Sequence, residues 1–194
     1  MMRSSRPRIV AQAGFTLLEV LLVAGLIAVI GGITIGVTDA FIRTAKSDSS
    51  VSAALMAIDT ARDRAVAERR NIELNFVLPD RIQLIRQEID AAGSVVGTTM
   101  IDEYRLENGM QIYKFPSAGD TPDAFGATSA TTFTGTEPVM FTSDGSLVDA
   151  NGDVVNGTLF FGIPGQQTSA RAITVFGITG FTRTWKWSGT TWQE

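Results

Sequence analysis

The sequence predicts an α+β fold in which one long N-terminal helix, first transmembrane and then amphipathic, packs on an antiparallel β-sheet domain. Three observations predict it. An uncharged run covers residues 20–38, an apolar stripe of helical spacing follows it, and a twofold alternation begins at Ile72. With 194 residues, 44% of them apolar, the chain has room for one globular domain besides this helix.

The N-terminal segment combines a basic leader with the uncharged run. Arg3, Arg6 and Arg8 come first, and no acid precedes Glu19. At about 1.5 Å per residue, a helix formed by this run approaches the ~30 Å hydrocarbon core of a bilayer. Because basic flanks remain cytoplasmic, the rest of the chain is predicted to cross the membrane.

The stretch Gly14-Phe15-Thr16-Leu17-Leu18-Glu19 resembles the class III leader of type IV pilins and type II secretion pseudopilins. Those proteins carry a short basic leader, then Gly-Phe-Thr-Leu-x-Glu, then an apolar helix. The resemblance implies cleavage after Gly14 by a prepilin peptidase and N-methylation of Phe15. An uncleaved anchor is one alternative. An ordinary signal peptide is another, but it has an apolar region of about 7–15 residues followed by an A-x-A-like site.

Glu19 is out of place in a simple anchor, because a carboxylate costs roughly 2.5–3.5 kcal/mol near a bilayer centre and less near its edge. An acid in such a position indicates a functional site and needs a cationic partner. After the implied cleavage, the free amine of Phe15 lies four residues before Glu19, at helical spacing. Either this amine or that of a neighbouring subunit can neutralise the acid. We interpret Glu19 as an assembly residue.

The resemblance also implies a pilin-like fold, an arrangement along the chain and a set of partners. Residues 1–14 form the prepilin leader, 15–38 the transmembrane and assembly helix, 39–71 its amphipathic half, and 72–194 a periplasmic β domain. The implied location is the bacterial inner membrane, crossed once with the N-terminus cytoplasmic, before entry into a periplasmic or surface filament. The implied partners are the peptidase and N-methyltransferase, other pilin or pseudopilin subunits, and an inner-membrane assembly platform. No cofactor is implied.

Two glycines in the uncharged run have a spacing that permits close helix packing. Gly32 and Gly36 form a G-x-x-x-G pair, which lets membrane helices approach each other. The alternative is that glycines are simply common in membrane helices.

Beyond the apolar run, the helix is predicted to continue as an amphipathic one. Its apolar stripe repeats every three or four residues, at Val51, Ala54, Leu55, Ile58, Ala61, Ala65 and Val66. From Ile72 onward the alternation favours strands, at residues 72–78, 82–87, 139–142, 147–148, 158–163, 170–178 and 181–187. Asn108-Gly109 predicts a tight hairpin between 104–106 and 110–115. Residues 116–137 predict a long surface loop.

This order of elements resembles one branch of the family, the GspH/FimT-type minor pseudopilins. The resemblance lies in three segments: Ala65-Val66-Ala67-Glu68-Arg69-Arg70 before the first strand, Phe141-Thr142-Ser143-Asp144-Gly145-Ser146, and Arg171-Ala172-Ile173-Thr174-Val175 with Gly180. It implies a minor pilin or pseudopilin, a structural subunit that assembles into or primes a type II secretion pseudopilus or a type IV pilus.

The composition argues against catalysis. The chain has no Cys and no His, which removes thiol chemistry, disulfides, Ser-His-Asp catalysis and His-ligated zinc. The acidic pair Asp102-Glu103 is interpreted as part of a solvated loop, because neighbouring side chains point apart. We therefore predict that the protein is not an enzyme. A tethered periplasmic enzyme is the alternative from another class.

One segment has a pattern that partly matches a calcium-binding loop. Asp149, Asn151 and Asp153 have the spacing that opens a calcium loop, but Val154 and Phe160 stand where such a loop has Gly and Glu. We interpret this segment as a turn and predict no metal site.

Arg183, Trp185 and Lys186 place cations beside aromatic rings, as in proteins that stack on single-stranded bases. Some FimT-type pilins bind DNA through a late Gly-Arg-x-Arg, where this chain has Gly180-Phe181-Thr182-Arg183. The formal charge of −4 argues against nucleic-acid binding. A DNA-binding minor pilin for DNA uptake is the alternative, and packing at the sheet edge or a subunit contact is the preferred interpretation.

Overall fold

One helix opens the fold. In this computed structural model the described residues are 16–194, and within α1 the side chains of residues 33–41 and 43 are not described. The helix α1 (Leu17–Glu68) runs without a break through both predicted helical segments. The chain divides into two compact units, one ending at Phe41 and the other spanning Ile42–Glu194.

No helix among the described residues is both long enough and apolar enough to cross a membrane. Residues 33–38 of the predicted spanning segment are among those whose side chains are not described. The transmembrane segment stays a prediction.

The second unit is an antiparallel α+β domain, as predicted, but its strands form two sheets. The described strands are β1 (Ile72–Val77), β2 (Arg81–Ile89), β3 (Val95–Arg105), β4 (Gln111–Ile112), β5 (Thr131–Phe133), β6 (Val139–Phe141), β7 (Leu147–Val148), β8 (Gly157–Ile163), β9 (Gln166–Phe176), β10 (Phe181–Trp187) and β11 (Trp192–Gln193). The first sheet has the order β3-β2-β1-β6-β7, and the second has β11-β10-β9-β8-β4 with β5 also paired to β8.

The C-terminal half of α1 packs into the main core of this unit through small side chains. Ala54, Ala57, Ala61 and Ala65 have no exposed surface, so the helix backbone lies close to the strands. The predicted stripe is confirmed except at Val66, which is exposed. Leu, Ile and Phe side chains from both sheets complete this core. Burial of an apolar stripe is the main stabilisation that such a helix gains.

An ion pair between a buried arginine and a half-exposed aspartate also joins the helix to the second sheet. The Arg171 side chain is only 4% exposed, and its Nε donates to Asp48 Oδ1 over 2.8 Å. Its Nη1 donates to the carbonyl oxygens of Thr168 and Ala170. Removing one partner of such a pair leaves a buried charge uncompensated, so Arg171 fixes the helix position on β9.

The end of α1 is a Schellman turn built on an arginine. Arg69 has a φ of 52°, in the left-handed region, and the Arg70 amide donates to Ala65 O over 3.2 Å. That bond is the six-to-one bond of the motif, in which Gly is the usual left-handed residue. A side chain at this φ costs roughly 1–2 kcal/mol. The chain therefore carries strain where it turns from helix to β1.

Replacing Arg69 with Gly is expected to raise the free energy of unfolding by about 1 kcal/mol, because Gly adopts this φ without a steric cost. Urea denaturation of the full chain in detergent measures the change. Arg70→Gly is the matched control, since it removes the same charge one residue later. It should destabilise instead, because Arg70 has no left-handed φ to relieve and its Nη1 donates to Ile89 O. Equal shifts in the two variants would contradict the prediction.

The predicted turn at Asn108-Gly109 forms, but the predicted hairpin is wrong. Asn108 and Gly109 both have positive φ, 59° and 79°, and the Met110 amide donates to Glu107 O over 3.0 Å. However, β3 pairs with β2 in the first sheet, whereas β4 pairs with β8 in the second. The turn fixes the local reversal only. Burial of Met110 and Ile112 in the main core directs the chain to the other sheet.

The segment 116–137 is a surface loop over most of its length, as the sequence predicts, but parts of it are ordered against the second sheet. It contains β5, and Ala118, Thr121 and Thr132 within it are buried. Ala118 joins a second core on the outer face of the second sheet, which comprises Phe115, Ala118, Phe160, Ala170, Ala172, Trp185, Trp187 and Trp192. We call residues 116–137 the cover segment, because they lie over this face of the second sheet. The second core buries three tryptophans, and it explains why β8 is buried on both faces.

The turn between β6 and β7 is held by one carboxylate. Asp144 Oδ1 accepts hydrogen bonds from the Thr142 hydroxyl, from the Ser146 amide and from the Ser146 hydroxyl. The hydrogen bond from Thr142, followed by those from Ser146, lowers the pKa of Asp144 to about 2. Hydrogen bonds that favour the charged form stabilise the turn only while the carboxyl is ionised.

Asp144→Asn is expected to be less stable than the parent chain at pH 7, with a gap that closes as the pH falls. Because the folded pKa is depressed, the stabilisation is present above the ordinary value of 3.8 and is lost between about pH 4 and pH 2. Denaturant midpoints of both proteins at pH 7 and near pH 2.5 measure the gap. An unchanged gap across this range would show that ionisation of Asp144 does not matter for folding.

Candidate functional site

The processing residues lie outside the described part of the chain. Gly14 and Phe15, with the leader 1–14, precede the first described residue, Thr16. Glu19 lies within the described part, in the first turn of α1, and its side chain is exposed. Of the predicted processing and assembly residues, Glu19 is the one whose surroundings the structure gives.

Glu19 belongs to a helix cap that sequence reasoning missed. The Glu19 amide donates to Thr16 Oγ1 over 3.3 Å and to Thr16 O over 3.1 Å. Thr16 is therefore the N-cap of α1, and Glu19 stands at the third helical position. Ser or Thr followed three residues later by Glu is the capping-box pattern, so the signal was present in the sequence. The macrodipole also favours an acid at this end of a helix.

The face of α1 that carries Glu19 is otherwise apolar. Val23 and Ile27 follow Glu19 at successive four-residue steps, so all three lie on one side of the helix. With Val20 and Ala24 they line a shallow depression of about 370 Å³. Such a face presents one carboxylate on an apolar stripe, which suits a partner helix that brings an amine.

The predicted packing glycines are described only in part. A Cβ atom placed on Gly32 would meet nothing within 4 Å among the described residues. Gly36 lies in the part of α1 whose side chains are not described. Their role in helix packing remains a prediction.

The three tryptophans of the C-terminal strands are buried and not available for stacking, whereas Phe181 at the start of β10 is exposed. Trp185, Trp187 and Trp192 lie in the second core, and Trp187 packs edge-on against Trp192 with ring centroids 5.1 Å apart. Lys186, on the opposite face of β10, is exposed. The structure thus separates the lysine from the rings that the base-stacking alternative requires beside it.

Arg183 is held by two carboxylates and two rings. Its Nη1 donates to Asp123 Oδ1 over 2.6 Å, and its Nε lies 3.4 Å from Glu194 Oε1. Its guanidinium carbon lies 5.3 Å from the ring centroid of Phe176 and 5.6 Å from that of Trp185. The Arg183 guanidinium therefore already contacts anionic groups and aromatic rings, which are the two kinds of partner that the phosphates and bases of a nucleic acid would provide.

Asp123 is the residue at this site that sequence reasoning missed. Its side chain is only 8% exposed, and its Oδ2 accepts a 2.6 Å hydrogen bond from the Thr174 hydroxyl. The Trp185 indole donates to the same hydroxyl over 3.1 Å. Asp123 therefore connects the cover segment with β9 and β10.

Asp149 forms the turn that the sequence predicts. Its Oδ1 accepts the Asn151 and Asp153 amides, and its Oδ2 accepts the Thr136 amide and the Asn151 side-chain amide. The backbone hydrogen bond from Thr136 leads the causes that lower the pKa of Asp149. A calcium ion would have to displace these donors. Within the described residues, no three acidic, His or Cys side chains converge as a metal site would require.

The acidic pair lies on a strand and not in a loop, which corrects that interpretation. Asp102 Oδ2 is 3.6 Å from Arg64 Nη2, while Glu103 Oε2 accepts from Gln83 over 2.7 Å and lies 3.7 Å from Arg81 Nη1. Because successive residues of β3 point to opposite faces, the two carboxylates do not converge.

The chain matches no protein-family model and no curated protein sequence. In structure it is similar to the minor pseudopilin EpsH from the type II secretion system of Vibrio cholerae, with a TM-score of 0.43 and 15% identity over 78% of this chain and 99% of that one. It is also similar to the type IV minor pilin FimU of Pseudomonas aeruginosa, with a TM-score of 0.42 and 12% identity over 81% and 96% of the two chains.

Proposed function

We propose that this chain is a minor pilin or pseudopilin of the GspH/FimT type, a structural subunit that enters or primes a type II secretion pseudopilus or a type IV pilus. The observation that carries the proposal is the stretch Gly14–Glu19 at the head of a 52-residue helix. A basic leader, the Phe-Thr-Leu-x-Glu sequence and an apolar helix that continues into a sheet domain agree with one another.

In this proposal, a prepilin peptidase cleaves after Gly14 on the cytoplasmic side of the inner membrane, and Phe15 becomes the N-methylated first residue. The segment 15–38 holds the protein in the membrane by a single span, with the β domain in the periplasm. An inner-membrane assembly platform then receives the processed subunit. The G-x-x-x-G pair of Gly32 and Gly36 is proposed to let neighbouring helices approach closely.

Glu19 is the proposed assembly residue. An exposed acid on an apolar helix face gains most from a cation that has lost its own water. The amine of a neighbouring subunit's first residue is such a cation, and pairing with it would set the stagger between subunits. The alternative partner, the amine of the same chain, would satisfy the charge but would not select a neighbour.

The DNA-binding alternative receives less support. It depends on Arg183, which is already paired with Asp123 and Glu194, and on tryptophans that are buried. We therefore place the work of this protein in assembly and not in nucleic-acid capture or catalysis.

Mass spectrometry of the protein purified from its host tests the proposal. The expected mature form begins at Phe15 and carries one additional methyl group on its amine. A form that begins upstream of Gly14, or one trimmed beyond residue 38, would overturn the proposal. The same measurement in a strain that lacks the prepilin peptidase should return the uncleaved chain.

A further inference from the structure

The first sheet has an opening beside β1. On one side β1 pairs with β2 along its whole length, from Ile72 to Val77. On the other side it pairs with β6 only as far as Leu74, opposite Val139. Among the described residues no strand continues β6 along Asn75–Val77. The Gln87 amide donates to Asn71 O, so the alternation along β1 directs the backbone groups of Asn75 and Val77 toward β2. The N–H and C=O of Phe76 therefore face the opening.

A groove of about 520 Å³ occupies the opening. It is lined by Leu74 and Phe76 from one face of β1 and by Glu73 and Asn75 from the other. Side chains from both faces border it, so the groove lies at the edge of the strand and not above one face. Its far wall comprises Ser129, Ala130, Thr131, Glu137, Pro138 and Val139. The volume is within the usual range of about 300–1,000 Å³ for ligand sites.

The groove is acidic, and its acids lack cations. Glu73 and Glu137 both line it, and neither has an ion-pair partner within the described residues. Glu88 of this sheet and Glu68 at the end of α1 differ, because both pair with Arg86. Burial raises the pKa of Glu73, as expected for a carboxylate that has lost water without gaining a partner.

We propose that this groove binds an extended segment of a partner protein that carries Lys or Arg. The segment would add to β1 along Asn75–Val77 in line with β6, and its basic side chain would pair with Glu73 and Glu137. Three residues of strand cover about 10 Å. Main-chain bonds of this kind supply affinity, and the side-chain contacts supply specificity. The inference goes beyond the proposed function, since it stands on the sheet edge and not on α1.

Two acetylated and amidated peptides, Val-Lys-Val-Lys-Val-Thr and Val-Glu-Val-Glu-Val-Thr, serve as probes against the full chain in detergent. We expect the basic peptide to bind and to protect the Phe76 amide from hydrogen exchange, since the Asn75 and Val77 amides are already directed at β2. The acidic peptide should bind at least about tenfold more weakly, the loss expected for one charge-assisted bond.

Glu73→Gln should weaken binding of the basic peptide about tenfold while the denaturant midpoint stays at or above that of the parent chain. Glu107→Gln is the matched control, because it removes an exposed carboxylate that does not line the groove, and it should bind as the parent does. Glu137→Gln provides a second test should Glu73→Gln fail to fold.

Equal binding of both peptides, protection at β3 in place of β1, or no binding at about millimolar peptide would each overturn the proposal. Protection of the Phe76 amide without any peptide would also overturn it. If that protection rises with protein concentration, a second copy fills the groove, and if it does not, a segment of the same chain does.

Discussion

Replacing Glu19 with Gln is expected, under the proposed function, to abolish entry of the protein into the filament while leaving its amount in the membrane unchanged. Gln retains the capping-box pattern with Thr16, so the start of the helix is preserved and only the charge is lost. Without the carboxylate, a neighbouring subunit's amine has no partner in the apolar surroundings. Immunoblots of sheared filaments and of the membrane fraction measure the two pools.

Thr16→Ala is the matched control for that experiment. It removes the hydroxyl that accepts the Glu19 amide, at a cost of about 1 kcal/mol in helix stability, but it keeps the acid. The protein should therefore still enter the filament. If Glu19→Gln assembles normally and Thr16→Ala does not, Glu19 matters as a cap and not as a charge.

Replacing Asp123 with Ala is expected to lower the free energy of unfolding by about 3 kcal/mol. The change removes the closest acceptor of both groups. It leaves the half-buried Arg183 with the longer contact to Glu194 and the Thr174 hydroxyl with the longer contact to Arg183 O, which is the costly way to break a buried pair. Urea denaturation followed by tryptophan fluorescence is a direct measurement, since all three tryptophans lie in the second core. The emission should also shift to longer wavelength as the cover loosens.

Asp120→Ala is the control for this second prediction. Asp120 lies in the same segment and accepts only the local amides of Thr121 and Gly126, so its loss should cost about 1 kcal/mol. Equal effects of the two variants would show that Asp123 is merely a turn residue.

The Asp123 pair also affects how DNA binding should be tested. Loss of DNA binding in Arg183→Ala would be ambiguous, because that variant also breaks the pair with Asp123. Substitution of Lys186, which is exposed, is a cleaner test.

The parts of the fold that sequence predicts well are those with periodic burial. The stripe on α1 and the alternation of β1 are local patterns, and the buried alanines and Leu74 follow them. By contrast, β3 was largely missed because Val95, Val96 and Met100 are exposed and give no alternation. The partners of the Asn108-Gly109 turn were assigned wrongly, since a turn fixes a reversal but not the sheet in which each flank is buried.

For the site residues too, local features could be predicted from the sequence and long-range contacts could not. The Thr16 cap was readable from its spacing to Glu19. The pairs Asp48–Arg171 and Asp123–Arg183 were not, because their members are separated by 123 and 60 positions. These ion pairs form only when distant segments pack together in the folded domain. The residues next to each aspartate in the sequence therefore do not indicate which arginine it pairs with.

The alanine row of α1 has a consequence for force. From Val51 to Ala65 the docked seam is about 21 Å long, and the Arg171 pair lies near its beginning. A pull along the helix axis would shear all these contacts at once, whereas a sideways pull would open them in turn. A seam loaded in shear resists far more tension, so the sheets should stay attached to the C-terminal half of α1 when this half is pulled along its axis.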